Sequence, residues 1–411
     1  MRVLIAGTTY YPALNGQAIF MVNLAEGIAA RGHEVCALYP EPRQVSSQRN
    51  GVRLETVRSH EFKFIGPESY HPLRSTGRVR QVLDDFRPDL LHIHDHYPLS
   101  ATVVREAKRR GIKSFGTNHF SPVHVEPFIP GAVLFKPLVE KLLWAWLLHL
   151  YRQLEFVSAP SQYAINDLRR QGLEVPALAI SCGTSLARFH PDPSFDRVAW
   201  RSHYGLDPDA PVFVSVGRVE RVKRIDVMVQ ALHMLGRRDI QLALAGDGSF
   251  LQDLKGMARK LNLGDRVRFL GRLPNEELPS LLNSADVFVM TSETETLSIA
   301  SLEAMACGLP VLLANASALP ELVTPGVNGY LFSAGDPVDA AHYMELLADQ
   351  SAQRKAMGRA SRQRAQAHSL DLTLQRYETL YQQILESPVR VSLPVTKPRT
   401  RPRPADAKRE L

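Results

Sequence analysis

PVFVSVGRVERVKRI (211–225) runs from an apolar, β-rich stretch, Val212 to Val216, through Gly217 into a crowd of cations, and then opens a helical pattern near Ile225. A buried strand that turns through glycine into a helix is the first half of a βαβ unit. The pattern recurs downstream, where IQLALAG, DRVRFLG, ADVFVM, LPVLLA and GYLF are each followed by a helical stretch. Upstream, strand runs at Val3 to Ala6, Val35 to Leu38, Leu90 to His94 and Lys113 to Thr117 alternate with helical patterns at Gln17 to Ala30, closed by Gly32, and Val79 to Phe86, stopped by Pro88. The expected fold is α/β: two Rossmann-like, doubly wound parallel-sheet domains facing a cleft, over residues 1–190 and 191–369. Gly183 to Asp209, with Pro191, Pro193 and Pro208, reads as the linker region, and Leu370 to Leu385 as a last helix.

The chain has 411 residues, 45% apolar and 22% charged, enough for two buried cores and ordinary for globular proteins. Its three cysteines, Cys36, Cys182 and Cys307, are far apart and form no C-x-x-C pair, which fits a reducing cytoplasm. The first residues, MRVLIAGTTYYP, have no signal-peptide core, and the apolar run Leu142 to Leu148 is too short to span a bilayer. Net charge is +7, but residues 389–411 hold seven Lys/Arg against two acids, so the other 388 residues share only +2. No nucleic-acid-binding body is expected. The tail, VTKPRTRPRPADAKREL, is too poor in apolar residues to pack; its open alternatives are a solvated terminus and contact with anionic lipid headgroups.

In doubly wound sheets ligands bind beyond the carboxyl ends of strands. Arg218, Arg221, Lys223 and Arg224 crowd such an end, just before a helix N-terminus. Cations there repel one another and oppose the helix dipole, whereas a bound diphosphate is favoured by dipole, N–H groups and cations together. After the next such strand comes TSETETLSIASLEAMACGLP (291–310), with Glu295 and Glu303 eight positions apart. With a helix from about Ser298, the two carboxylates lie up to about 12 Å apart, a span that suits a nucleotide sugar. One would accept from sugar hydroxyls and the other from ribose hydroxyls, while the N–H groups of Thr296, Leu297, Ser298 and Ile299 meet phosphate oxygens. Gly16 opens the first helix, where missing side-chain bulk lets backbone approach a phosphate. Neither this turn nor GDGSFL (246–251) completes G-x-G-x-x-G, against a dinucleotide dehydrogenase. The run HIHDH (92–96) lacks partners for a metal site and reads as a polar strand end facing the cleft, and His119 in GTNHF is expected to point the same way, to position a sugar or act on a proton.

Together the motifs resemble retaining glycosyltransferases of family 4, which have the GT-B fold. The resemblance covers about residues 1–388 and rests on YYPALNG with RGHEV, PDLLHIHDH, TNHF, SAPSQYA, GRVERVK, LAGDGSF, VRFLG, and SETETLSIASLEAMACGLPV with ELVTPGVNGYLF. It implies that Arg218 and Lys223 hold the donor diphosphate in place of a metal, so that no cofactor is required. It likewise implies that Glu295 reaches the donor sugar, Glu303 binds ribose, Gly16 sits beside the diphosphate and His119 lies near the transferred sugar. The helix at 370–388 corresponds to the family's terminal helix, which crosses back to the first domain. Two departures stand out: Thr296-Leu297-Ser298 replaces the usual Gly-Phe-Gly, and Cys182-Gly183-Thr184-Ser185 replaces the usual Asn-Gly-Val/Ile-Asp.

The implied reaction moves a hexose, glucose or mannose, from a UDP- or GDP-linked donor to an acceptor hydroxyl, with retention. Base recognition is expected near Leu270 and Arg272. The stretch FKPLVEKLLWAWLLHLYRQLE (135–155), apolar on much of its circumference, and FKFIG (62–66) could face an acyl chain or simply pack on their own sheet. A lipid or glycan acceptor is expected, with the enzyme at or near the cytoplasmic membrane face. A GT-B nucleotide-sugar epimerase and a non-catalytic nucleotide-sugar-binding protein remain alternatives.

Overall fold

The computed structural model describes residues 1–11, 15–61, 70–72, 74–121 and 135–387. The stretch 62–66 and the basic tail therefore lie outside the described residues. The first sheet has eight strands in the spatial order Ala177–Ala179, Phe156–Ala159, Lys113–Thr117, Leu90–Ile93, Arg2–Ala6, Glu34–Glu41, Val52–Arg58 and Ser46–Arg49. All pairings are parallel except the last, Ser46–Arg49 with Val52–Arg58. The second sheet has six parallel strands in the order Val267–Gly271, Gln241–Ala245, Val212–Val216, Val287–Met290, Val311–Ala314 and Gly329–Phe332. Every side chain of Gln241–Ala245 and Val287–Met290 is buried, because helices cover both faces of a parallel sheet.

In each sheet, strand order reverses at one place: between Arg2–Ala6 and Leu90–Ile93 in the first, and between Val212–Val216 and Val287–Met290 in the second. These switch points open a crevice at the strands' carboxyl ends. The helix Gly16–Ala30 follows the first, with Asn15 accepting from the Ala18 N–H at 2.9 Å as its cap. The helices Ile225–Met234 and Ile299–Ala306 follow the second.

The linker is shorter than the prolines suggested. Helix Arg197–His203 lies within Gly183–Asp209, and the buried Arg201 binds Asp286 at 2.7 Å and the Ser284 carbonyl at 2.8 Å, which ties the stretch to the second sheet. Its guanidinium satisfies four carbonyls and a carboxylate, so burying the charge is compensated. The chain crosses between domains near Cys182–Thr184 and crosses back at His368–Leu370. The two crossings are stitched together: the Thr184 N–H donates to the His368 carbonyl at 2.9 Å, and the Leu370 N–H donates to the Thr184 carbonyl at 2.8 Å. Gly183 permits this approach at φ +72°, where a Cβ would come within 2.8 Å of Leu370 Cα.

Helix Leu370–Glu386 then packs on the first domain. Tyr381 hydrogen-bonds His92 at 2.7 Å, and Tyr377 bonds Ser158 at 3.1 Å. Leu374 fills the notch at Gly27, where a Cβ would be 2.4 Å away. Arg31 pairs with Asp371 and Glu378, and Lys113 donates to the carbonyls of Ile384, Leu385 and Ser387, a cation at the helix's negative end.

Candidate active site

The second switch point gathers the predicted ionic residues, and their partners are largely each other. Lys223, ending the short turn Arg221–Lys223, forms an ion pair with Glu295. Arg224 pairs with Glu293 at 2.5 Å and with Asp226 at 3.5 Å, and Arg221 pairs with Asp253 at 2.8 Å. The crowding expected from sequence is therefore relieved by carboxylates that sequence distance hides. Arg218 is the exception: it is exposed and has no hydrogen bond or ion pair among the described residues. The loops carrying these groups are rigidly joined. Thr291 Oγ1 donates to the Lys223 carbonyl at 2.8 Å, and the Val219 N–H to the Asp247 carbonyl at 2.9 Å. Gly246 passes so close that a Cβ would sit 1.8 Å from the Gly217 carbonyl oxygen.

Glu295 lies in a loop and Ser298 caps helix Ile299–Ala306, its side chain accepting from the Ser301 N–H at 3.2 Å. Ser298 has φ +85°, a conformation native to glycine. Ser298 therefore holds a backbone conformation that glycine adopts freely, and the cap contact offsets part of the strain. Leu297 is buried, so that residue can offer a ligand its backbone only, while Thr296 and Ile299 are half-buried at the rim. Glu303, inside the helix, has its carboxyl raised to about 7 by poor solvation, with Arg188 pulling the other way. A carboxylate in that state gains from hydroxyl donors. Arg188, missed in the sequence because it precedes its target by more than a hundred residues, is the charge that favours ionised Glu303. Leu270 is half-buried and Arg272 exposed, beside the Gly271 carbonyl that accepts from the Gly246 N–H at 2.7 Å.

The first switch point is built differently. His92, His94, Asp95 and His96 are all buried, which corrects the expectation that the run faces the cleft. Asp95 accepts from the Thr8 N–H, the Tyr97 N–H at 3.1 Å, Ser100 Oγ at 2.6 Å and Gln17 Nε2 at 3.4 Å, and so ties the first strand's turn to two helices. Gly7 is squeezed beneath them, with Met21 Sδ 2.8 Å from where its Cβ would be. Gly16 is exposed, with nothing within 4 Å of a built Cβ, so no packing among the described residues calls for glycine there. Among the described residues, no group of three or more His, Cys, Asp and Glu could hold a metal ion.

His119 is half-buried, stacked on His94 with Nε2 3.4 Å from His94 Nδ1, and tilted against Phe20. Burial pushes its imidazole down to about 3, so it is neutral at pH 7 and suited to hydrogen bonding with a hydroxyl rather than to holding a proton. Beside it a small cleft is lined from the first domain by Asn118, Phe120 and Tyr163 and from the second by Glu293, Glu295 and Ser317. The structure thus sets the 293–296 loop at the wall shared by both domains, with Lys223 joined to it through the ion pair with Glu295. The expected helix at 135–155 runs over Lys136–Tyr151: Trp144, Leu147 and Leu148 pack inward, while Phe135, Leu138, Leu142 and Trp146 are 62%, 55%, 60% and 41% exposed. No described helix is long and apolar enough to cross a membrane.

Two family models match the chain, Glycosyltransferase Family 4 over residues 14–188 and Glycosyl transferases group 1 over residues 196–364. The D-inositol 3-phosphate glycosyltransferase of Actinosynnema mirum is 33% identical over 389 residues, 90% of this chain and 92% of that protein. The alpha-monoglucosyldiacylglycerol synthase of Streptococcus pneumoniae is 26% identical over 341 residues, 81% of this chain and 75% of that protein. Among solved structures, sucrose-phosphate synthase from Thermosynechococcus elongatus superposes with a TM-score of 0.75 at 24% identity, covering 93% of this chain and 99% of that one. Two facing parallel-sheet domains with a helix returning to the first are the GT-B arrangement of that neighbour, and with a relative one-third identical over nine-tenths of both chains, this chain belongs to the family 4 glycosyltransferases.

Proposed function

We propose that the chain transfers a hexose, glucose or mannose, from a UDP- or GDP-linked donor to a hydroxyl of a lipid acceptor at a membrane surface, with retention of configuration and without a divalent metal. The observation that carries the donor reading is the second switch point, where an unpaired Arg218, the exchangeable Lys223–Glu295 pair and the N-terminus of Ile299–Ala306 converge. Donor binding exchanges partners: Lys223 turns from Glu295 to the diphosphate, and Glu295 turns to the sugar hydroxyls. The bond from the anomeric carbon to the β-phosphate oxygen breaks, and the acceptor oxygen bonds to that carbon from the same face. The acceptor's proton passes to the departing phosphate oxygen. Arg218, Lys223 and the helix N–H groups offset the charge that grows on the leaving group.

The acceptor reading rests on the apolar stripe Phe135, Leu138, Leu142 and Trp146, which recurs at helical spacing on the exposed side of Lys136–Tyr151. Lys141 and Arg152, together with Glu140, line a groove on another flank of the same helix, and the two cations there are the groups that anionic headgroups would meet. That a 26% identical relative is an alpha-monoglucosyldiacylglycerol synthase by name supports the same acceptor class.

The first test is calorimetric binding of UDP, GDP and ADP in excess EDTA. Tight binding of UDP or GDP alone selects the donor, and transfer from its labelled glucose or mannose conjugate to vesicles containing diacylglycerol or phosphatidylinositol tests the acceptor. A folded protein that binds none of the three nucleotides overturns the donor reading. Conversion of the donor without any acceptor replaces transferase with epimerase.

A further inference from the structure

One contact between the domains is not explained by donor binding. Helix Gln162–Arg170 of the first domain is capped by Ser161, whose side chain accepts from the Ala164 N–H at 3.2 Å. The two N–H groups before it are satisfied from the other domain: Gln162 donates to Oε2 of Glu321 at 3.0 Å, and Tyr163 donates to its Oε1. Glu321 belongs to the turn Leu319–Leu322, which follows a strand of the second sheet. A carboxylate spanning adjacent N–H groups at a helix N-terminus gains from charge-assisted hydrogen bonds and from the dipole. This helix therefore takes part of its cap across the domain boundary.

The same turn holds the sugar-side loop. Ser317 Oγ donates to the Glu293 carbonyl, the Ala318 N–H donates to the Glu295 carbonyl at 3.2 Å, and the Glu321 N–H donates to the Ala318 carbonyl at 3.1 Å. Arg364 fixes the turn from behind, donating to the Glu321 carbonyl at 2.6 Å. Hydrogen bonds thus run without a break from the first-domain helix through Glu321 to the backbone of Glu295. Tyr163 and Glu295, at the two ends of that path, line one cleft.

We propose that Glu321 is a positioning residue that latches the two domains at the spacing transfer requires, its carboxylate serving as the cross-domain cap of helix Gln162–Arg170. The inference rests on the reading that donor and acceptor meet in this cleft from opposite domains, where a misplacement of about 1 Å is costly in rate. Glu321 touches the frame that carries the reactants and has no required contact with either.

Small-angle scattering of the full chain tests the latch before any substrate is known. Glu321→Ala is expected to raise the radius of gyration, Glu321→Gln to change it less, because its amide oxygen still accepts, and Ser161→Ala to leave it unchanged, because that cap lies within one domain. For whichever of UDP-glucose and GDP-mannose the wild type turns over, Glu321→Ala is expected to lower kcat on the order of 10- to 100-fold while the UDP or GDP dissociation constant stays within about threefold. Unchanged scattering and unchanged kcat in a variant folded by circular dichroism overturn the latch. So does a nucleotide affinity that falls in step with kcat, since that places Glu321 in the donor site. Wild-type protein that binds neither nucleotide defeats the donor reading and leaves the scattering comparison to decide the latch alone.

Discussion

The two sheets reverse strand order in the same way, yet their switch points are furnished oppositely. In the first, the polar groups are inside: Asp95 is saturated by four donors, and His92 is bonded at both nitrogens, to Tyr381 and Thr117 at 2.7 Å each. In the second, charges stand at the rim in pairs that a ligand can exchange, Lys223 with Glu295 and Arg224 with Glu293. Asp95 and His92 are fully engaged and hold their neighbours, although His94 Nε2 and both ring nitrogens of His96 are buried without a hydrogen bond among the described residues. Lys223 and Glu295 are 20% and 13% exposed, and a phosphate can replace the carboxylate as the partner of the lysine. One crevice is filled largely by its own polar groups and the other is lined by charges in pairs, although topology alone makes both of them candidates.

Substitutions that affect only one side would sharpen this contrast. The largest effect is expected at the exchangeable pair: Lys223→Ala should lower turnover on the order of 1000-fold, with the melting temperature nearly unchanged. Comparable turnover in the variant would end the assignment of Lys223 to the leaving group. At the other crevice, Asp95→Ala leaves buried N–H groups without partners and should cost about 3 kcal/mol in chemical denaturation, with nucleotide affinity preserved. A variant as stable as the wild type would show that the network is no scaffold.

A subtler contrast concerns proton linkage at Glu303. Its carboxyl, raised to about 7, lies above the 4.5 of a free glutamate, so its cost to stability is absent below about 4.5 and grows as pH rises toward 7. If ribose hydroxyls donate to the ionised form, nucleotide affinity should rise by up to about tenfold per pH unit below 7 and level off above it. Glu303→Gln should flatten that profile; an unchanged slope would assign the proton to another group. Smallest is Ser298→Gly, which relieves φ +85° but gives up the cap, and should shift stability by less than about 1 kcal/mol with activity retained. A large loss in that variant would mean that the serine hydroxyl itself meets the ligand.

Sequence patterns carried the second sheet almost completely, because its strands are short apolar runs ended by glycine or a loop, as at Val212–Val216 and Gln241–Ala245. They did not carry Ser46–Arg49, whose polar, exposed residues have no core-facing alternation and pair only because Val52–Arg58 lies beside them. At the site, the residue types were legible where a strand end delivers them, as with Lys223 and Glu295. What was not legible was pairing across long chain separations: Glu293 neutralising Arg224, Arg188 acting on Glu303, and Glu321 reaching another domain. The histidine run misled because alternation fixes which residues share a face and says nothing about what covers that face. His92 is covered by Tyr377 and Tyr381, from a helix nearly three hundred residues later, His94 by Phe20 and His119, and His96 by Phe120 and Trp146.

That late cover has a consequence for biosynthesis. Residues 1–190 leave the ribosome first, but the groove over His92, Thr117 and Ser158 stays uncovered until Leu370–Glu386 has been made. The domain translated first is thus completed last, and for most of translation it presents an aromatic-lined trough that other nascent chains can enter. Fragments ending before residue 370 should accordingly need chaperones, while the second domain can close its sheet as soon as Gly329–Phe332 emerges.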